Sequence, residues 1–127
     1  MRKYQDPINF IEEKIVNDKY TIKYLYLNEI AQGSPLIGAL SINNKIIKTK
    51  KFGGPFIFKN DVIYIPYYKK TFFKSGFCLC KIDLNTLSII NIDNRIFNII
   101  DLIEIKENKI FFYKSLFEDE IISVNLL

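Results

Sequence analysis

Apolar and polar residues alternate at a period of two along much of this 127-residue chain. Tyr20-Thr21-Ile22-Lys23-Tyr24-Leu25-Tyr26-Leu27 follows that rhythm, and so does Val62-Ile63-Tyr64-Ile65-Pro66-Tyr67. Successive side chains of a strand point to opposite faces, so a period of two predicts half-buried β-strands. β-branched and aromatic residues fill the runs, and Asn, Asp, Gly and Pro break them. That pattern predicts many short strands joined by tight turns. One stretch is ambiguous. Over residues 7–16, Asp6 fits a helix cap, Pro7 a first helical position, and Phe10, Ile11, Lys14 and Ile15 a partial apolar stripe. A short N-terminal helix and a strand both stay open there.

The strand pattern repeats. Phe58-Lys59-Asn60-Asp61-Val62-Ile63-Tyr64-Ile65 aligns with Ile105-Lys106-Glu107-Asn108-Lys109-Ile110-Phe111-Phe112 at an offset of 47. Leu79-Cys80-Lys81-Ile82-Asp83-Leu84 aligns with Ile121-Ile122-Ser123-Val124-Asn125-Leu126. A fainter copy lies upstream, in the Asn17-Asp18-Lys19-Tyr20 turn and the Ala39-Leu40-Ser41-Ile42-Asn43 strand. A period of roughly 40–47 residues is that of one four-stranded propeller blade. Asp83-Leu84-Asn85-Thr86 resembles the hairpin between the last two strands of a blade in quinoprotein-like and kelch-like propellers. The expected fold is therefore all-β, with three antiparallel blades at about 8–50, 55–92 and 98–127 in one domain. Three blades do not close a ring, so the expectation is an open half-propeller with free edges; a β-sandwich is the alternative.

Composition narrows the chemistry. The chain has no histidine and no tryptophan. Serine–histidine and cysteine–histidine hydrolases, two-histidine nucleases and most zinc enzymes need histidine. Cys78 and Cys80 stand at i, i+2, on one face of a strand, and read as small buried hydrophobes in a reduced, cytoplasmic protein. Ser34 has no base to activate it, and Gly53-Gly54-Pro55 lacks the Lys-Ser/Thr of a phosphate loop. No apolar run approaches the roughly 20 residues that span a bilayer, and Asp6, Glu12 and Glu13 interrupt any secretory leader. The expectation is a non-catalytic protein that uses no metal or cofactor and no membrane.

Charge is unevenly spread. Residues 45–81 carry nine lysines against the single acid Asp61, a net of +8, while residues 82–127 carry four basic and eight acidic residues, a net of −4. Lys48, Lys50 and Lys51 precede Phe52, and Lys69, Lys70 and Lys74 flank Phe72 and Phe73 in a hairpin loop. Cations interleaved with flat rings suit a single-stranded nucleic acid, so a polyanion-binding module is one reading of this segment; a solvated face is the plainer one. The acids Asp101, Glu104, Glu107, Glu118, Asp119 and Glu120 could confront a basic protein surface. Tyr67 and Tyr68 are adjacent, so a strand turns at least one of them away from the core, and Phe72 and Phe73 at a loop tip suit interface anchors.

In size, in its Ile-, Lys- and Asn-rich composition and in its incomplete propeller-like repeat, the chain resembles the small immunity proteins of bacterial toxin systems, those of contact-dependent growth inhibition above all. The resemblance implies a cytoplasmic heterodimer with a cognate protein toxin, a nuclease by expectation, whose active site the immunity protein covers. The acidic C-terminal blade would then face a cationic cleft, with Tyr67, Tyr68, Phe72 and Phe73 as anchors.

Overall fold

The structure, a computed structural model, describes residues 5–126. Eleven strands and no helix occur among them. The first four are β1 (Glu13–Val16), β2 (Tyr20–Glu29), β3 (Leu36–Ile42) and β4 (Lys45–Phe52). The next four are β5 (Ile57–Lys59), β6 (Val62–Lys70), β7 (Ser75–Asp83) and β8 (Ile89–Phe97). The last three are β9 (Asp101–Lys106), β10 (Lys109–Tyr113) and β11 (Ile121–Asn125). The fold is all-β and open, half-propeller-like, as its repeat predicts.

The repeat is realised strand by strand. β5-β6-β7 and β9-β10-β11 are equivalent units, each a hairpin whose second strand pairs with a third. Their turns, Asn60-Asp61 and Glu107-Asn108, have positive φ at both residues, as does Asn43-Asn44 between β3 and β4. A two-residue turn of that hand matches strand twist, and asparagine tolerates it better than a branched residue. The turn after β7 is also built as expected: the Asp83 carboxylate accepts hydrogen bonds from the amides of Asn85 (2.8 Å) and Thr86 (3.1 Å).

The first two modules are not separate sheets. β1-β2-β3-β4-β6-β7-β8 form one antiparallel meander, joined where Lys51 pairs with Tyr68 and Phe52 with Tyr67. β5 occupies the other half of the same β6 edge. This sheet curls. The Tyr20 hydroxyl of β2 donates a 2.6 Å hydrogen bond to Oδ1 of Asn85 in the β7–β8 turn, four strands away in the sheet order. Inside the curl lies a core of Tyr20, Ile22, Tyr24, Leu40, Ile42, Phe52, Ile63, Ile65, Cys78, Cys80 and Ile82. Both cysteines sit there as free thiols, on the one face that their spacing predicts.

The third module is a separate three-stranded sheet. Leu102, Ile110, Phe112 and Val124 pack with Phe77 and Leu79 of β7 in a second core. β7 is thus buried on both faces, which is why Phe77-Cys78-Leu79-Cys80 is apolar without alternation.

The N-terminal helix does not form. Asp6 instead caps a tight turn: its Oδ1 accepts from the amides of Ile8 (2.8 Å) and Asn9 (2.9 Å), and the backbones of Asp6 and Asn9 bond each other both ways. The chain then continues extended, because Glu13–Val16 find partners in Tyr20–Lys23. Phe10 seals one end of the first core against Tyr24, with ring centroids 4.8 Å apart.

Candidate binding surfaces at the hairpin end

The β6–β7 hairpin runs from the deepest core to the most exposed tip of the molecule. At its base Ile63, Ile65, Leu79 and Ile82 are fully buried. At its tip the strands close through Thr71 and Lys74: the Thr71 amide and hydroxyl both donate to the Lys74 carbonyl, at 2.8 and 2.7 Å, and the Lys74 amide returns a 3.0 Å bond to Thr71 Oγ1. The bonded turn leaves Phe72 and Phe73 standing out, 94% and 93% exposed, edge to face with centroids 5.0 Å apart.

Beside this tip lies a cleft of about 380 Å³. Lys74 lines one side, and Lys114, Ser115 and Glu118 of the β10–β11 loop line another, over a floor of Ile96, Phe97 and Asn98. Phe117, on that loop, is 93% exposed. Two loops from different sheets therefore carry three uncovered phenylalanines, Phe73 next in sequence to Lys74 and Phe117 next to Glu118, both of which line the cleft. Phe117 escaped the sequence reading. Its signal was available, an aromatic residue abutting the Glu118-Asp119-Glu120 run in a stretch without alternation.

On the other flank of the hairpin, β4 and β6 part. Their pairing stops at Lys51 and Tyr68, although both strands continue, to Lys45 and Lys70 respectively. A groove of about 420 Å³ opens there, lined by Lys48, Lys50, Lys51, Lys69 and Lys70, with Asn91 of β8 also on its wall. None of the five has a carboxylate partner among the described residues. Lys50 Nζ sits 4.0 Å from the centroid of the Tyr67 ring, an attraction of cation to ring face. Five of the six expected basic residues thus meet; Lys74 lies across the hairpin in the cleft.

Two expected contact residues are corrected by burial. Tyr67 is only 4% exposed, because it continues the inward series of Ile63 and Ile65. Burial, with smaller contributions from Cys78 and Cys80, pushes its phenol up to about 12. Tyr68 turns to the opposite face and packs its ring on Phe77, half-buried. Asp101 is fully buried at the start of β9, between Ile100 and Leu102 of the second core, so it is not on the surface. The remaining acids are exposed but dispersed: Glu104 on β9, Glu107 in the β9–β10 turn, and Glu118, Asp119 and Glu120 in the next loop, where Glu120 pairs with Lys114.

Elsewhere, burial pushes the Cys80 thiol up to about 12, and Lys50 opposes that rise weakly. Burial also raises Tyr24 far above the usual phenol range; its hydroxyl donates to the Gly53 carbonyl at 2.7 Å. Asp93 is held below the ordinary carboxylate range by Arg95, whose guanidinium meets it at 3.0 Å on β8. Among the described residues no group of three or more Cys, Asp and Glu could hold a metal ion, and no helix is long and apolar enough to cross a membrane. The chain matches no protein-family model, no curated protein and no solved structure.

Proposed function

We propose that this chain is a non-catalytic binding protein of the immunity type, which docks the toxin domain of a cognate bacterial effector in the cytoplasm and blocks its active site. The observation that carries the reading is the trio Phe72, Phe73 and Phe117, each more than 90% exposed, on the two loops whose Lys74 and Glu118 line one cleft. Fully burying a phenylalanine is worth about 1.5–3 kcal/mol, so three on one end of a molecule forgo much stabilisation until something covers them. Aromatic anchors beside a cleft are what slow-dissociating interfaces use. Lys74 beside Phe73 and the acids beside Phe117 make a rim of both signs, which steers and orients a protein partner. Docking then runs through the aromatic end, and Glu118, Asp119 and Glu120 contribute as its acidic rim rather than as a separate acidic face.

The test is capture of the partner from the native organism by the tagged protein, with nuclease present and at about 0.3 M salt, where the Debye length is well under 10 Å. One stoichiometric protein, toxic when expressed alone and harmless when co-expressed with this chain, is the expected result. Replacing Phe72, Phe73 and Phe117 together by Ser should abolish both capture and protection. Recovery of nucleic acid without nuclease, and of nothing with it, overturns the reading.

A further inference from the structure

The groove between β4 and β6 has no role in docking through the aromatic cleft, and its chemistry is distinct. Lysines directly across a strand pair repel and weaken it. Here the pairing is absent where Lys48–Lys50 would meet Lys69 and Lys70, and the charges face a shared space without a counter-charge among the described residues. Such a space is built to be filled by an anion with several charges in a row. Lys48, Lys50 and Lys51 lie where β4 bulges against β3, between Ile47 and Phe52, so three cations gather within four residues. Lys50 is held in place by the Tyr67 ring beneath it, so one cation of the row is fixed before any ligand arrives.

The groove leads toward the hairpin tip. Lys69 and Lys70 are followed within three residues by Phe72 and Phe73, whose rings are almost wholly exposed. Bases stack on such rings whatever their sequence, whereas the carboxylates of an acidic peptide need no flat platform. A duplex needs a protruding element to enter its grooves, and this surface is a recess. We infer that the β4–β6 groove binds the backbone of a single-stranded nucleic acid through Lys48, Lys50, Lys51, Lys69 and Lys70, with bases stacking on Phe72 and Phe73. This stands apart from the protein-partner reading and shares only the hairpin tip with it.

Fluorescence anisotropy with the full chain and labelled dT12 tests it, over about 50–200 mM salt. Binding should weaken with salt at a log–log slope of about −0.7 per phosphate neutralised, hence about −3 to −4 for five lysines. Replacing Lys50, Lys69 and Lys70 by Gln should cost at least about 100-fold at the lowest salt and flatten the slope by about 2. Phe72→Ser with Phe73→Ser should cost about 10-fold and leave the slope unchanged. A deca-glutamate peptide and a 12-bp duplex should bind at least about 10-fold more weakly than dT12. Absence of dT12 binding at 50 mM salt overturns the inference. So does equal binding of the peptide or the duplex, and so does wild-type affinity in the lysine variant. The lysine variant should still capture and protect against the toxin, so failure of one reading is separable from failure of the other.

Discussion

The two ends of the β6–β7 hairpin differ sharply in exposure, although one chain segment of about twenty residues makes both. At the base, β7 is sandwiched between the curled sheet's core and the three-stranded sheet, and Cys78, Leu79, Cys80 and Ile82 have no measurable exposure. At the tip, two phenylalanines stand in water between lysines. Apolar surface is spent on stability at one end and left free for a ligand at the other. The comparison separates residues that hold the fold from residues that are exposed in spite of it, and it can be broken by substitution.

The largest effect belongs to Leu79. It lies in the second core, where β7 meets β9-β10-β11. Leu79→Ala removes buried methyl groups and leaves a void between two layers, and should cost about 2–5 kcal/mol in urea-induced unfolding. Loss of less than about 1 kcal/mol would mean that the third module contributes little to holding β7, and that the second core is not a structural one.

An intermediate effect should appear with pH. Cys80 and Tyr67 have folded pKa values pushed up to about 12, and Tyr24 is raised as well, by burial in the first core. An unfolded cysteine ionises near 8.5 and an unfolded tyrosine near 10. Between the unfolded and folded values the unfolded chain has released its proton and the folded chain has not, so stability falls as pH rises. The contribution is complete below about pH 8.5 and is lost progressively from there toward 12. The urea midpoint should therefore decline from about pH 8.5, and more steeply above 10 as the tyrosines join. In Cys80→Ala the decline should begin nearer 10. A midpoint flat to pH 10 in the wild type would show that the base of the hairpin is wetter than the burial of Cys80 implies.

The same contrast explains what the sequence could disclose. Period-two alternation, the Asn-containing turns and the 47-residue offset are local properties, set by strand pleat and turn backbone, and they placed the hairpins of both β5-β6 and β9-β10. Fusion of the first two modules was not legible, because it depends on a two-residue pairing, Lys51 with Tyr68 and Phe52 with Tyr67, at the end of β4, where the two strands part on the Lys51 side. The ambiguous 7–16 stretch was decided by a partner strand rather than by its own stripe. For the candidate surfaces, the lysine clusters could be read directly, since charge in a loop or at an edge stays exposed. Burial of Asp101 and Tyr67 could not, because each depends on the sheet that covers it. Adjacent Tyr67 and Tyr68 announced that one would turn away from the core but not which.

The smallest effect should come from the tip itself. Phe72 and Phe73 touch chiefly each other, and the turn beneath them is closed by Thr71 and Lys74 rather than by their rings. Phe72→Ser with Phe73→Ser should then change unfolding free energy by no more than about 0.5 kcal/mol, as surface substitutions do, while removing the anchors of the proposed interface and the stacking platform of the groove. Differential scanning calorimetry beside the capture and anisotropy assays checks this split. A destabilisation above about 1 kcal/mol would mean that the rings fold back onto the protein in solution. The three-phenylalanine surface would then be a covered part of the core, and the contrast between base and tip would vanish. Unchanged stability together with lost binding makes the tip the place where this fold stops serving itself and begins to serve a partner.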